Sequence, residues 1–462
     1  MIPAQELVEQ GVGDASAAGA DDCVVLVEEG SHADVRFACN TTTTNGVHRS
    51  RAVSVVVMAA GSVGTATRTG VVGPDGVRDM VTSALVDARA APPAEDAYAL
   101  VLPAETAAGR DFGLGPDETD ASALEPVLSS LSGAFARARA REAVLAGFAE
   151  QDLATLYLGT STGVRLSHAQ PTGAVNLVGR TADGTGSAWV GVPNIEPGFE
   201  QMEQEIWRRL DWATHQVALD AGRYEVILPP SGVGDMMAMI AFDAVGGQDT
   251  EDGRTVFSKE GGGTRLGEQI TTLPFTLYSD PDELGIQCTP FVATSASSSE
   301  VSVFDNGLPV SRTDWLRDGV LAHLRYHRAR AKKSGLEMAP YIDNLVLRCE
   351  GHDGGSVDEM VARTERGLLL TCLWYIRSVD PATLLMTGLT RDGVYVIENG
   401  AVVGAANNFR FNESPVDLLA RATEVGSPVR SLGRELGEYL NRTIMPPLRI
   451  PDYNMSTVSQ AS

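Results

Sequence analysis

His323 and His327 stand four residues apart. On a helix that spacing would aim both imidazoles at one metal ion. Val320 to His327, however, follows an Asp318-Gly319 turn and reads as a strand, with no carboxylate at a metalloprotease spacing. Two polar side chains on one strand face is the reading this supports. His168, His215 and His352 are isolated and read as surface or hydrogen-bonded histidines. Cys288, in Gly285-Ile286-Gln287-Cys288-Thr289-Pro290, is a nucleophile if a distant histidine takes its proton, and otherwise an idle, buried thiol. The Ser295–Ser299 run lacks the G-x-S-x-G elbow and reads as a loop. The glycines at 246–247, 253 and 261–263 match neither G-x-G-x-x-G nor G-x-x-x-x-G-K-[ST], so this stretch reads as a surface loop, not a phosphate cradle.

Reactive groups need a rigid mount, and the chain offers one at Glu225–Gly247, EVILPPSGVGDMMAMIAFDAVGG. Val226, Ile227 and Leu228 read as a strand stopped by Pro229 and Pro230. Ser231 and Gly232 read as a turn, and a helix is expected from about Gly234 to Val245. Met236, Met237, Met239, Ile240, Phe242 and Val245 make that helix apolar nearly all round, hence buried. The methionines read as adaptable packing and not as a soft metal site. The helix interior carries no His, Glu or Cys, the side chains a hydrolase would mount there.

The chain has 462 residues, enough for two or three domains. With 36 basic and 60 acidic residues its formal net charge is −24. Such a surface repels phosphates, which argues against nucleic acid and anionic membranes as partners. Five cysteines without a C-x-x-C pair point to a reducing, cytoplasmic setting. The first residues show no signal-peptide pattern, and no apolar run approaches the roughly 20 residues that span a bilayer.

Taken in order, Pro3–Gln10 reads as a helix ended by Gly11 and Gly13. Cys23–Glu28 and Ala33–Asn40 read as two strands, and Asn45-Gly46 as a hairpin turn. Val53–Ala59 and Ser62–Thr69 continue as strands, and Val77–Ala90 as a helix. Residues 91–115 read as a linker. Ala121–Ala149 and Glu200–Ala221 read as helices around a strand-rich stretch, 152–180. Arg137, Arg139 and Arg141 punctuate the first of these helices, as a solvated face or a contact patch. The remainder reads mainly as β, with strands at Val301–Phe304, Val320–His327, Tyr341–Cys349 and Leu368–Ile376 among others. The expected fold is α+β: an N-terminal α/β sandwich-like region and a C-terminal β-rich domain with a buried central helix. The expected boundaries are 1–120, 121–222 and 223–462.

Several stretches carry a resemblance to the TldD/PmbA family, the modulators of gyrase that form a two-subunit metalloprotease. They are Glu225–Gly247, Arg317-Asp318-Gly319-Val320 with Ala329–Gly335, and Thr387–Ser414. Asp34-Val35-Arg36 and Thr44-Asn45-Gly46-Val47 fit more loosely. In catalytic members the central helix carries H-E-x-x-x-H, and a later cysteine in a C-G-K context is associated with the metal. Two imidazoles and a third ligand hold zinc, one position stays open for water, and the glutamate acts as general base. On that pattern this chain places Ala238, Met239 and Asp243 at His, Glu and His, and Leu432-Gly433-Arg434 at C-G-K.

The departure resembles the TldE/PmbA-like branch, which lacks the metal motif and pairs with a TldD-like subunit. The resemblance implies no catalytic residue and no metal in this chain. Zinc is expected in the H-E-x-x-x-H-bearing partner, within a heterodimer or higher hetero-oligomer that cuts peptides or peptide-like substrates. Asp243, Arg391, Asn408 and Arg410, polar groups in the family-like stretches, are the candidate cavity residues. Two other roles remain open. One is a metal-independent hydrolase using Cys288 or a His/Asp pair. The other is a subunit serving a bacterial natural-product pathway, acting on a modified peptide or small conjugated intermediate; the Ala/Gly/Arg-rich, Lys-poor composition is that of a high-GC bacterium, where such pathways are common. A purely structural scaffold is the remaining reading.

Overall fold

The structure, a computed structural model, describes residues 2–106, 109–195 and 198–459. Residues 107–108 of the expected linker lie outside the described residues.

Among the described residues the first half builds one antiparallel sheet and four α-helices. In chain order they are α1 (Ala4–Ala17), β1 (Asp22–Ala38), β2 (Thr41–Ala59), β3 (Ser62–Thr69), α2 (Pro74–Ala90), α3 (Glu125–Ala140), β4 (Ala143–Thr160), β5 (Arg165–Thr181), β6 (Ser187–Val192) and α4 (Phe199–Trp212). The sheet order is β3-β2-β1-β4-β5-β6. Alternation along β1 assigns its two faces. Cys23, Val25 and Val27 pack on α1 and α2, and Ala33, Val35 and Phe37 on α3 and α4. Val24 and Leu26 point the other way, into a cluster with Leu100, Phe291 and Phe304 that docks the second half of the chain. The expected boundary at 120/121 falls between β1 and β4, which pair side by side from Val24↔Thr160 to Phe37↔Gly147.

Several local expectations are corrected here. α1 runs through Gly11 and Gly13, because Gly11 is the bare surface that Val25 and Val77 pack against. Cys23–Glu28 and Ala33–Asn40 belong to one strand. Asn45-Gly46 is not a turn: it lies inside β2, opposite Val35 and Asp34. The chain reverses at Cys39-Asn40, both left-handed, and Asn40 is locked there by hydrogen bonds to Ala143 O and from Leu145 N. The helix expected to reach Ala149 stops at Ala140, and β4 begins at Ala143. The one expected to reach Ala221 stops at Trp212.

Gly64 of β3 faces α2 so closely that a Cβ would run into the Ala84 carbonyl and the Ala88 nitrogen. Gly64→Ala is therefore expected to lower stability by about 1–3 kcal/mol, the range for overpacking. Gly13→Ala, on α1 with nothing within 4 Å of the new methyl, should be neutral or stabilising. Paired thermal melts check the contrast.

The second half continues with β7 (Gln216–Val217), β8 (Gly222–Leu228), α5 (Pro230–Asp243), α6 (Gly247–Glu251), β9 (Phe275–Ser279), β10 (Thr313–Arg317), β11 (Val320–Leu321), α7 (Arg328–Ser334) and β12 (Leu345–Cys349). Then follow α8 (Val357–Ala362), β13 (Arg366–Leu370), β14 (Leu373–Asp380), β15 (Leu385–Thr390), β16 (Val394–Glu398), β17 (Ala401–Ala406), β18 (Phe409–Glu413) and α9 (Pro415–Arg421). The chain ends with β19 (Glu424–Val425), β20 (Val429–Ser431), β21 (Thr443–Met445) and β22 (Leu448–Val458). Two sheets result, β11-β10-β9-β12-β21-β20 and β14-β15-β18-β22-β8-β13-β16-β17-β7, with β19 pairing β22. The expected strand at Val301–Phe304 is instead a 3-10 turn, Val303–Asp305, capped by Ser302. The molecule is α+β, with the expected buried central helix in a β-rich second half. No helix among the described residues is long and apolar enough to cross a membrane.

Candidate functional site

α5 is the element the second half is packed around. Its side chains share one core with Val226 and Leu228 of β8, Phe275 and Leu277 of β9, Leu345 and Leu347 of β12, Leu418 and Leu419 of α9, and Met445 of β21. It starts earlier than its glycines suggest. Pro230 takes the first helical position, where its missing N–H costs nothing, so Ser231 and Gly232 form the first turn and not a loop. The helix stays regular to its end, with Ala244 N bonding Ile240 O at 3.1 Å.

The positions matching a metal motif do not fit a metal. Ala238 is 1% exposed and offers no lone pair, Met239 is buried with a thioether, and Leu432 is 3% exposed. Asp243 is exposed at the helix end, where partial burial and then the Glu300 carboxylate push its pKa up. Five residues at 3.6 per turn put positions 238 and 243 about 140° apart around the axis. One is in the core and the other at the surface. No His/Cys/Asp/Glu group able to hold a metal occurs among the described residues.

The buried polar side chain of α5 is Asp235, which belongs to no motif in the sequence. Asp235 is 0% exposed. Its carboxylate accepts hydrogen bonds from three consecutive backbone N–H groups: Arg434 at 2.9 Å, Glu435 at 3.1 Å and Leu436 at 2.8 Å. Burial pushes its pKa up to about 7, against the three N–H groups, which favour the anion. Gly433 lies so close that a side chain there would meet the carboxylate. The Leu432–Leu436 segment is thus clasped to the first turns of α5. An aspartate in an apolar helix was the available signal.

Arg434, just beyond that glycine, lies between two indoles, 4.6 Å from the Trp374 ring centre and 5.5 Å from that of Trp189. Arg391, one of the expected cavity residues, stands 5.7 Å from the same Trp374 centre. The structure brings no common site together from the other three. Asp243 faces Glu300. Asn408 accepts from Thr390 Oγ1 at 3.3 Å, and exposed Arg410 donates to Thr387 Oγ1 at 3.3 Å. Leu432, Ser231 and Pro230 instead line a cavity of about 570 Å³ with Arg208, Arg209 and Glu205, whose charges pair with one another.

The histidine pair is not a site. The expected strand from Val320 to His327 ends at Leu321. His323 Nδ1 bonds the Asp314 carbonyl at 2.8 Å, while His327 caps α7 through Arg330 N. Cys288 is buried in a small apolar cluster, and burial pushes its thiol up to about 12. A thiol so far from ionising is a poor nucleophile.

The model of the PmbA/TldA metallopeptidase C-terminal domain matches residues 221–457, just over half the chain. No curated protein matches. The structure is similar to that of TldE from Thermococcus kodakarensis over 97% of this chain and 98% of that one, at 16% identity and TM-score 0.76. It is also similar to a protein described as a modulator of DNA gyrase from Bacteroides thetaiotaomicron, over 98% of each chain, at 16% identity and TM-score 0.75. A third, described likewise and from Thermotoga maritima, aligns over 97% and 99% at 16% identity and TM-score 0.73. These likenesses are of fold.

Proposed function

The chain belongs to the PmbA/TldD metallopeptidase family, and on that premise we propose that it is the subunit without a metal site in a heteromeric TldD/TldE-type peptidase. The observation that carries this reading is the packing of α5. Where a hydrolase helix would present donors, this one presents Ala238 and Met239 to a closed apolar core. A degenerate motif alone is compatible with a displaced site. A motif whose positions are filled by close-packed hydrocarbon has taken up a structural role. The active partner is then a TldD-like chain bearing H-E-x-x-x-H and zinc, and the shared substrate is a peptide or peptide-like amide.

In such a pair this chain contributes wall and register. β-strand edges offer backbone groups to an extended substrate. The Asp235 clasp holds the Leu432–Leu436 segment in one conformation, so that side chains on it keep a fixed position relative to α5. Hydrolysis by this chain alone through Cys288 is disfavoured by the thiol's burial.

Co-expression with an H-E-x-x-x-H-bearing relative tests the reading. The two chains should co-elute in size exclusion, with stoichiometric zinc in the partner and none here. Replacing the partner's motif glutamate should abolish peptide hydrolysis, while Cys288→Ala in this chain should leave it unchanged. Zinc and amide hydrolysis in this chain purified alone would overturn the proposal.

A further inference from the structure

Arg391 and Arg434 are half-buried cations with little to neutralise them. Elsewhere the chain pairs its buried arginines closely: Arg449 with Glu225 and Glu424, Arg325 with Glu300, Arg328 with Asp305. Arg434 has no ion pair and no side-chain hydrogen bond among the described residues, and its Nε is buried without a partner. The Arg391 Nε is likewise buried without a hydrogen bond, its one ion pair among the described residues being with Asp392 Oδ2 at 3.4 Å.

The nearby carboxylates are committed elsewhere. Asp235 is held by three backbone N–H groups. Glu435 takes Arg377 at 2.7 Å and the Tyr375 N–H at 3.1 Å. The second oxygen of Asp392 takes the Ser187 hydroxyl.

Trp374 organises what is left. An indole face attracts a guanidinium and covers one side of it, leaving the N–H edges free to bind a planar anion in two-pronged fashion. The two guanidinium carbons, 5.7 and 4.6 Å from one ring centre, can be at most about 10 Å apart. Trp189 and the backbone clasp fix Arg434 from its other sides. The locus is cationic on a chain of net charge −24, so a singly charged anion meets less opposition from the overall field than a phosphate dianion.

We propose that Arg391 and Arg434, mounted on Trp374, form a receptor for a carboxylate carried by an extended peptide. This rests on the peptide-hydrolase reading and specifies its substrate: a chain held by an anionic group beside the segment that α5 clasps. The carboxylate is either the peptide's C-terminus or an acidic side chain.

Dye-labelled peptides that differ only at the C-terminus or by one Glu/Gln exchange, titrated into the full-length protein and read by fluorescence anisotropy, test this. One carries a free C-terminal acid, one a C-terminal amide with an internal glutamate, and one an amide with no carboxylate. At least one acidic peptide should bind ten-fold or more tightly than the carboxylate-free amide, and which one identifies the source. Arg391→Gln/Arg434→Gln should reduce that peptide to the amide's affinity, while Arg430→Gln, an exposed control, should not. If the double variant does not fold, the acid-against-amide comparison on the unaltered protein still decides. Equal binding of all three peptides, or binding by none, overturns the receptor. Hydrolysis by the co-expressed pair is a separate readout: cleavage without carboxylate preference sinks this inference and leaves the proposed function standing.

Discussion

Asp235→Ala is expected to destabilise the folded chain by about 3–5 kcal/mol at pH 5, measured by denaturant unfolding. The substitution leaves the N–H groups of Arg434, Glu435 and Leu436 without their acceptor, at about 1–3 kcal/mol for each donor that water cannot reach. It also leaves a void in a site with no exposed surface. Because the three donors are consecutive, the loss is concentrated on one segment. Hydrogen exchange at residues 434–436 should accelerate more than in the strands. Arg434 should lose its fixed position between Trp189 and Trp374, so the variant should also lose the preference for carboxylate-bearing peptides.

The same residue makes stability depend on pH with a definite sign. The unfolded chain ionises an aspartate near about 3.9, while in the fold burial holds this proton up to about 7. Between those values the folded protein binds a proton that the unfolded chain has released. The contribution is therefore full below pH 4, falls as pH rises toward 7, and is flat above. Asp235→Asn should remove this component of the slope, although it loses an acceptor and costs about 1–2 kcal/mol of its own. Other raised carboxyls, such as Glu413 and Asp343, remain in both proteins and cancel in the comparison. A variant whose stability changes with pH between 4 and 7 as the parent's does would refute this assignment.

Some of this was legible from residue order alone. Val226-Ile227-Leu228 and Pro229-Pro230 mark a strand and its stop, and the Met/Ile/Phe helix after them declares its own burial. Both signals are local. What failed depended on partners far along the chain. Asn45-Gly46 has the chemistry of a hairpin turn, yet pairing from Asp22↔Met58 down to Ala38↔Thr41 carries β2 straight through it. The actual turn residue, Asn40, earns its left-handed backbone from hydrogen bonds to β4, more than a hundred positions away. Ala-rich stretches mislead in the same way. Residues 141–149 look helical by propensity, but Leu145 and Ala149 pack in the core of α3 and α4 from the face of a strand.

The site was legible in its deficiency and not in its construction. Missing donors at 238, 239 and 432 can be read directly, because ligand chemistry is a property of residue type. That Asp235 clasps 434–436, or that Arg391 and Arg434 both stand against Trp374, follows from contacts between segments that no spacing rule connects. Of the four polar residues in the family-like stretches, Arg391 is the one that stands against Trp374.

Restoring the missing donors should unfold this chain before it makes a zinc enzyme. Met239→Glu places a carboxylate among the apolar side chains of the core, and is expected to cost about 3–5 kcal/mol. Ala238→His forces an imidazole into a position 1% exposed, adding roughly 2–3 kcal/mol of overpacking. Together these approach the whole margin of a typical domain. Zinc does not rescue the loss, because the α5 backbone stays regular to Asp243. Position 238 faces the closed core while position 243 stands about 140° around the axis at the surface, so donors there open onto no common space for an ion. Asp243→His alone, at the exposed end, should change stability by less than about 0.5 kcal/mol. Thermal melts of the single variants, with zinc content measured on whatever fraction of the Ala238→His/Met239→Glu/Asp243→His/Leu432→Cys protein stays soluble, give the answer. A soluble, zinc-loaded quadruple variant that melts with its parent would mean that α5 has kept room for the metal. The close packing would then not be the reason this chain needs a partner.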